Sequence, residues 1–578
     1  MLKDCLQVFK KLYEEKGEAL ITDNYILSEG TYILVDDDGN IENVLEVSKK
    51  NFDRIAASDF IVIDYLSKLI DMNKPIDGRK VIHSNNYLSF WVKKESLTVD
   101  NKGERKLTNN IIEDYYKILS DPKIKYKKGK ALTLYEDIGN QIGEPPKEQI
   151  LKCETWIKNN IFSILEKLKI KEDKSYLKIF FKTDVEEYER ENKRYIVPNI
   201  YNSTDYNVDK DNIIYGLPND NMGLNSKKPY LENKTRVNSI PYLISTEEVN
   251  LQKKFIDYLY NEACNRKTNI YINEENIKAC ESNEAPEEAF KGYFLRIKKG
   301  KELEIHEFDT IADYNPKIID LNINQVIPVK DFLNSKIEYK LQYGSVNLLK
   351  ELKAIINTVF FSGMLLSHYF TEEKDIRVRD ERLKKEILEY RDGFFQWFHK
   401  GNSSIIKSQF KVNSLEIIKN SLKCNDNKLR IIEKFNLRSA ILNYLEGREE
   451  MGDKLRTIHD SLRGKINEDN TSSISNDDEY YFAVGQLVSY LISLNKGSKK
   501  THSLINPILN CKSDDKLKKE VCRMFKKYSY DINQNNRRFN NLNAMIISYE
   551  PENKISNEET IIAGYLYSNL IYEKKESN

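Results

Sequence analysis

Along the front of the chain the apolar positions come in short runs. Tyr32-Ile33-Leu34-Val35 followed by Asp36-Asp37-Asp38-Gly39-Asn40 predicts a strand entering a turn. Lys178-Ile179-Phe180-Phe181 predicts another strand, and Phe60 to Leu69 a helix or a buried strand. Phe294 to Ile297 and Leu303 to Phe308 flank Lys299-Gly300, a hairpin pattern. From about Ser345 the apolar spacing becomes helical. Val346 to Phe370, Ile376 to Lys400, Leu429 to Ile466, Tyr480 to Lys496, Asp514 to Tyr528 and Ile532 to Tyr549 all fit it, and no strand signal competes. Asn476 with Glu479 three residues on is a capping-box pattern, followed by Tyr480, Ala483, Val484, Leu487, Val488, Leu491 and Leu494 on one broad face. The pattern predicts an α+β chain: a mixed α/β N-terminal domain over residues 1–345, a helical connecting region over 346–450, and an all-α C-terminal bundle over 451–578.

Composition adds constraints. The 578 residues carry 91 basic and 90 acidic side chains, a formal net charge of +1, so nucleic-acid binding would have to come from local patches or partners. Seven cysteines, none closer than eleven residues to the next, exclude zinc-ribbon spacing and suggest reduced thiols in a cytoplasmic protein. Ala354 to Phe370 and Tyr480 to Asn495 are the longest uncharged runs, but their polar residues and length predict buried bundle helices rather than membrane spans.

Catalytic motifs are sparse. There is no phosphate loop: Gly497-Ser498-Lys499-Lys500-Thr501 lacks the upstream glycine. No Gly-x-Ser-x-Gly elbow or His-Glu-x-x-His pair occurs. His459-Asp460 is formally a metal-phosphohydrolase dipeptide without companion ligands, more simply read as a polar helix face. The sequence therefore predicts no catalytic residue, no metal ligand and no cofactor.

Two segments suit a polyanion. Tyr215 to Tyr242 is rich in turn formers, including Gly216, Pro218 and Gly223, and presents Lys227, Lys228, Lys234 and Arg236 beside Asn219, Asn221 and Asn225. Lysine and arginine neutralise phosphates, and asparagine can bond base edges or sugar. A solvated polar loop is the alternative. Between Lys496 and Arg538 there are twelve basic residues against four acidic. Lys516, Lys519, Arg523 and Lys527 recur on one helical face, with Lys499 and Lys500 upstream; such a face could track a displaced strand or simply be solvated. The tract Lys123 to Lys130 is a second basic patch, favoured as a solvated loop.

The segment Tyr215 to Arg236 resembles the signature of the large subunit of type I-B CRISPR Cascade complexes. Three further stretches, Tyr480 to Leu491, Lys499 to Ser503 and Ile562 to Tyr565, resemble the same family in the same order. The resemblance implies a non-catalytic subunit beside the guide RNA's 5′ handle. It would read the protospacer-adjacent motif, help open the duplex, and recruit a separate helicase-nuclease. The implied partners are the crRNA guide, the double-stranded DNA target and its displaced strand, the backbone and handle-binding subunits, a small subunit and the helicase-nuclease, with no membrane. Some such families make the small subunit by internal translation; Met451 is a candidate start, giving a product of residues 451–578. A metal-dependent nuclease using His459 and Asp460, or a scaffold contacting RNA alone, are the competing readings.

Overall fold

The computed structural model describes residues 2–573 except 49–51, 100–102, 128, 212, 220–234, 236–241, 330–339, 448–450, 469–471, 498–500, 534 and 553–556. The chain is α+β, strands concentrated in the front and helices running through the back. It divides into two compact units. The first holds residues 1–282 and 292–310, the second 283–291 and 311–578. Residues 346–450 and 451–578 fall together in the second unit.

The first unit is built on a four-stranded sheet of β1 (Gly30–Val35), β2 (Ile41–Val47), β3 (Ser89–Lys93) and β4 (Tyr176–Phe181), in the order β2-β1-β4-β3. β1 pairs in parallel with β4 and antiparallel with β2. Every residue of β1 is buried, as its aromatic and β-branched side chains favour. The run Asp36 to Asn40 closes the β1–β2 turn: Asp36 N–H donates to the Asn40 carbonyl at 2.9 Å, and the Asp36 carboxylate accepts from Asn40 N–H at 2.7 Å. Phe60 to Leu69 resolves as a helix, Ser58–Leu66.

Two more sheets follow. β5 (Val208–Lys210), β6 (Ile213–Gly216) and β7 (Ile244–Ser245) form a small antiparallel sheet. β8 (Lys267–Ile272), β9 (Ile277–Glu281), β10 (Phe290–Lys299) and β11 (Leu303–Tyr314) form the third, in the order β11-β10-β8-β9. β10 and β11 carry the hairpin predicted around Lys299-Gly300.

The second unit departs from the sequence expectation at its start. Val346 lies in a strand: β12 (Lys317–Ile323) pairs with β13 (Gly344–Leu348), with Leu321 opposite Val346. The helices are Leu349–Val359, Glu381–Lys400, Ser404–Lys423, Lys428–Glu446, Met451–Asn467, Asp477–Ser493, Asp514–Tyr528, Arg537–Ser548 and Glu558–Leu566, with short turns between. The predicted Leu429 to Ile466 helix is broken at Gly447, whose left-handed conformation ends Lys428–Glu446. Asn476 caps its helix by accepting from Glu479 N–H at 2.9 Å. The Glu479 carboxylate leaves the box open. It accepts instead from Ser475 N–H at 2.6 Å, Ser461 Oγ at 2.8 Å and Lys465 Nζ at 2.7 Å. Among the described residues no helix is long and apolar enough to cross a membrane.

The stretch 283–291 belongs to this second unit by specific bonds. His399 Nδ1–H donates to the Glu284 carbonyl at 3.0 Å, Lys353 donates to the Asn283 carbonyl, and Lys350 pairs with Glu287 at 3.8 Å.

Candidate nucleic-acid interface

The polar segment from Tyr215 is rooted on the β5-β6-β7 sheet. β6 delivers the outgoing chain and β7 receives it, with Tyr215 opposite Ser245 and Gly216 opposite Ile244. Tyr201, fully buried, ties the two: its hydroxyl lies 2.8 Å from the Ile214 carbonyl and 3.1 Å from that of Ile244. Asn202 N–H donates to Leu217 O at 2.8 Å and Asn219 N–H to Ile200 O at 2.9 Å. Gly216 fits under Tyr201 only because it has no side chain; a Cβ there would lie 2.4 Å from Tyr201 Cδ1 and from Asn207 Oδ1. Ser245 then caps Thr246–Cys264 in a reciprocal box with Glu248.

Asn219 therefore sits at the root, 8% exposed, rather than on the open loop that the sequence suggests. Its Nδ2 and both polar side-chain atoms of Asn207 find no hydrogen-bond partner among the described residues. Asn221, Asn225, Lys227, Lys228, Lys234 and Arg236 lie outside the described residues, as do Lys499 and Lys500.

Lysines gird this root. Lys74 Nζ donates to the Asn199 carbonyl at 3.0 Å and to that of Tyr201. Lys125 donates to the Pro75 carbonyl and Lys130 to the Asn207 carbonyl. All three are half-buried, and none has a described carboxylate within 4 Å. Burial pulls the Lys74 and Lys125 ammonium groups down to about 8, with the Lys74 charge adding to the effect on Lys125. The tract 123–130, read from sequence as a solvated loop, thus contributes Lys125 and Lys130 to a built basic collar. Lys74 was not legible as its member, because only the fold brings it to Lys125.

The second basic region is a helix face. In Asp514–Tyr528, Leu517, Val521, Met524 and Tyr528 are buried, leaving Lys516, Lys519, Arg523 and Lys527 exposed together. Arg523 pairs with Glu520 at 3.3 Å, while Lys516, Lys519 and Lys527 have no described carboxylate within reach. Elsewhere the stretch is compensated: Lys496 pairs with Asp531 at 2.8 Å inside it, and Lys512 with Glu558 beyond it at 3.0 Å. Arg538 is a structural tie, donating to Asn467 Oδ1 at 2.7 Å and to the Glu573 carbonyl.

The three C-terminal stretches that share one family resemblance meet in space. Asp477–Ser493 and Glu558–Leu566 cross at Gly485 and Gly564. A Cβ on Gly485 would lie 2.2 Å from the Ile561 carbonyl oxygen, and one on Gly564 would lie 2.2 Å from that of Phe482. Next to the crossing, buried Gln486 donates from Nε2 to the Gly564 carbonyl at 2.7 Å and accepts from Leu570 N–H at 2.9 Å. His502 completes the contact, its Nδ1 2.8 Å from the Tyr565 hydroxyl. Burial holds the His502 imidazole below its usual pKa.

In the His459-Asp460 pair the imidazole is packed and the carboxylate exposed. His459 is 4% exposed, 4.6 Å from the Tyr567 ring centroid, with Nδ1 3.3 Å from Asp460 Oδ1. Burial lowers its pKa. Among the described residues no three His, Cys, Asp or Glu side chains are grouped to hold a metal.

One buried charge was overlooked from the sequence although it left a signal. Lys178 interrupts the apolar strand Tyr176–Phe181, and it pairs inside the first unit with Asp64 at 2.5 Å. Compared with protein-family models, curated proteins and solved structures, the chain matches none.

Proposed function

We propose that this chain is the large, non-catalytic subunit of a type I-B CRISPR surveillance complex, acting with a crRNA guide, backbone and small subunits and a separate helicase-nuclease. In this role it reads the protospacer-adjacent motif and helps open the duplex. The observation that carries the reading is the collar at the loop root. Lys74, Lys125 and Lys130 surround the root of a segment whose sequence bears Lys227, Lys228, Lys234 and Arg236, with no carboxylate in ion-pair contact among the described residues and Asp71 acting on Lys74 from farther off. Such a surround favours a phosphate backbone, and the exposed Lys516 to Lys527 face offers a second track. The meeting of Gly485, His502 and Gly564 supports treating the resembling stretches as one inherited structural unit.

The test uses the complex assembled with its guide. Replacing Lys227, Lys228, Lys234 and Arg236 by alanine weakens target-DNA binding. It also flattens the salt dependence by roughly 0.9 log units for each phosphate that is no longer neutralised. Unchanged affinity and slope across a salt titration remove the phosphate role, and failure of the chain to join a guide-bound complex removes the subunit assignment. Met451 lies in the helix Met451–Asn467, and an internal start there would give a product of residues 451–578. A short C-terminal product that persists after its codon is changed excludes that start.

A further inference from the structure

In the first unit a cleft of about 650 Å³ opens between the segment Tyr25 to Glu29, the strands β3 and β4, and the end of helix Thr246–Cys264. That volume is in the range of small-molecule sites. Its floor is Lys178, whose ammonium is 2.5 Å from Asp64 and 3.7 Å from the Trp91 ring centroid. The floor is therefore neutralised and fixed. Trp91 is buried under the Lys178 ammonium, and the half-buried Tyr176 and Tyr260 supply the aromatic surface. Tyr176 is held in place by His83. The imidazole Nε2–H donates to the Lys80 carbonyl at 2.9 Å, which leaves Nδ1 to accept from the Tyr176 hydroxyl at 2.7 Å.

Two further cations line the cleft. Lys68 is half-buried, 4.2 Å from the Tyr25 ring centroid, with no described carboxylate within 4 Å. Its backbone is clamped: Asn85 Nδ2 donates to the Lys68 carbonyl at 2.7 Å and to that of Leu66 at 3.0 Å. Burial draws the Lys68 ammonium down to about 8, so it is still mostly charged at neutral pH. Lys299 is exposed, 6.0 Å from the Tyr260 ring centroid. Glu29 is the one acidic residue among the described lining.

The Asp64 and Asp257 carboxylates act on Lys68 from beyond ion-pair distance, and aromatic walls beside Lys68 and Lys299 match a ligand with a π face and an anionic group on one short frame. We propose that this cleft binds a nucleoside monophosphate unit, its base against the Tyr176 and Tyr260 rings and its phosphate taken by Lys68 and Lys299. The unit is either a free mononucleotide or one unstacked nucleotide of a single strand. The proposal stands on the first unit's geometry and is independent of the role proposed above.

Calorimetric titration of the full chain with AMP, adenosine, inorganic phosphate and a short oligoadenylate tests it. AMP or the oligoadenylate binds saturably, and adenosine and phosphate alone bind more weakly. Lys68→Met weakens the binding by about tenfold, the scale of one charge-assisted hydrogen bond. Lys299→Met, on the surface and harmless to the fold, weakens it in the same direction. Preference for AMP identifies a free mononucleotide; preference for the oligoadenylate identifies a strand. Absence of saturable binding by either ligand overturns the proposal, as does wild-type affinity in the folded Lys299→Met and Lys68→Met variants.

Discussion

Gly216 and Gly485 both stand where a Cβ has no room, yet the chain around them is built on opposite plans. At Gly216 the constraint is a root. Tyr201 clamps the outgoing and returning strands and the long polar segment departs beyond it. At Gly485 the constraint is a seal, with two helices meeting backbone to backbone and Gln486 satisfying the freed carbonyl and amide groups beside them. Both lie in stretches with the same family resemblance. One stretch leads into the basic segment and the other is buried, so the same resemblance covers a loop root in one place and a packing solution in the other.

The contrast can be broken at its strongest point first. Gly485→Ala places a Cβ against the rigid Ile561 carbonyl, and the second unit loses about 3 kcal/mol of stability in denaturant unfolding. A wild-type midpoint would mean the helices slide apart freely and the seal is not one. The second unit also carries a pH signature. Glu386 is buried, accepting only from Asn420 Nδ2 at 2.7 Å among its described bonds, and burial pushes its carboxyl up to about 7. A carboxyl raised in this way favours the fold while protonated. Its contribution is complete below the unfolded value near 4.5 and is lost as pH rises through about 7. Glu386→Gln is therefore stabilised relative to wild type by roughly 2 kcal/mol at about pH 8, and by little at about pH 4. Equal differences at both values would show that Glu386 does not titrate in that window.

At the root, Gly216→Ala costs about 1–2 kcal/mol, because the Tyr201 ring and Asn207 side chain can give more than a carbonyl can. Its unfolding midpoint, set beside that of Gly485→Ala, measures how much softer the root is. Smallest is the effect of changing Lys516, Lys519 and Lys527 together to glutamine. Stability moves by less than about 0.5 kcal/mol, since these side chains are exposed and lack described ion pairs. Single-strand affinity, read by fluorescence anisotropy across salt, is expected to lose roughly 2–3 units of log slope. An unaltered slope would assign the face to solvent.

What the sequence made legible follows from how local each feature is. Tyr32 to Val35 and its Asp36 to Asn40 turn are specified by neighbours, and the strand and turn stand where the pattern puts them. The Asn476 cap is likewise local, although Glu479 reaches Ser461 and Lys465, which no short pattern encodes. Val346 reads as helical in its own neighbourhood and becomes a strand because Leu321, far back in the chain, pairs with it. The helix Ser404–Lys423 escaped notice because its serines, asparagine and lysines dilute the apolar stripe of Ile406, Phe410, Ile417 and Leu422. At the candidate interface, the exposed face of Lys516, Lys519, Arg523 and Lys527 follows from helical spacing alone. The burial of Asn219 rests on its bond to Ile200 across an intervening sheet, and the joining of Lys74 to the tract of Lys125 and Lys130 on a fold contact between distant segments; neither had a local trace.

The nine residues 283–291 have a consequence for how this chain is made. They belong to the second unit, yet both flanking stretches belong to the first, so the chain changes unit at 282/283, 291/292 and 310/311. A ribosome working from the N-terminus finishes the first unit only after residue 310, and has by then released a strip whose bonding partners, Lys353 and His399 among them, do not yet exist. The bonds from Lys353 and His399 to that strip can both form only after about a hundred further residues have been made. For the same reason no single cut in the chain separates the two units. Division after residue 310 strands the strip with the wrong partner, and division before 283 deprives the first unit of residues 292–310.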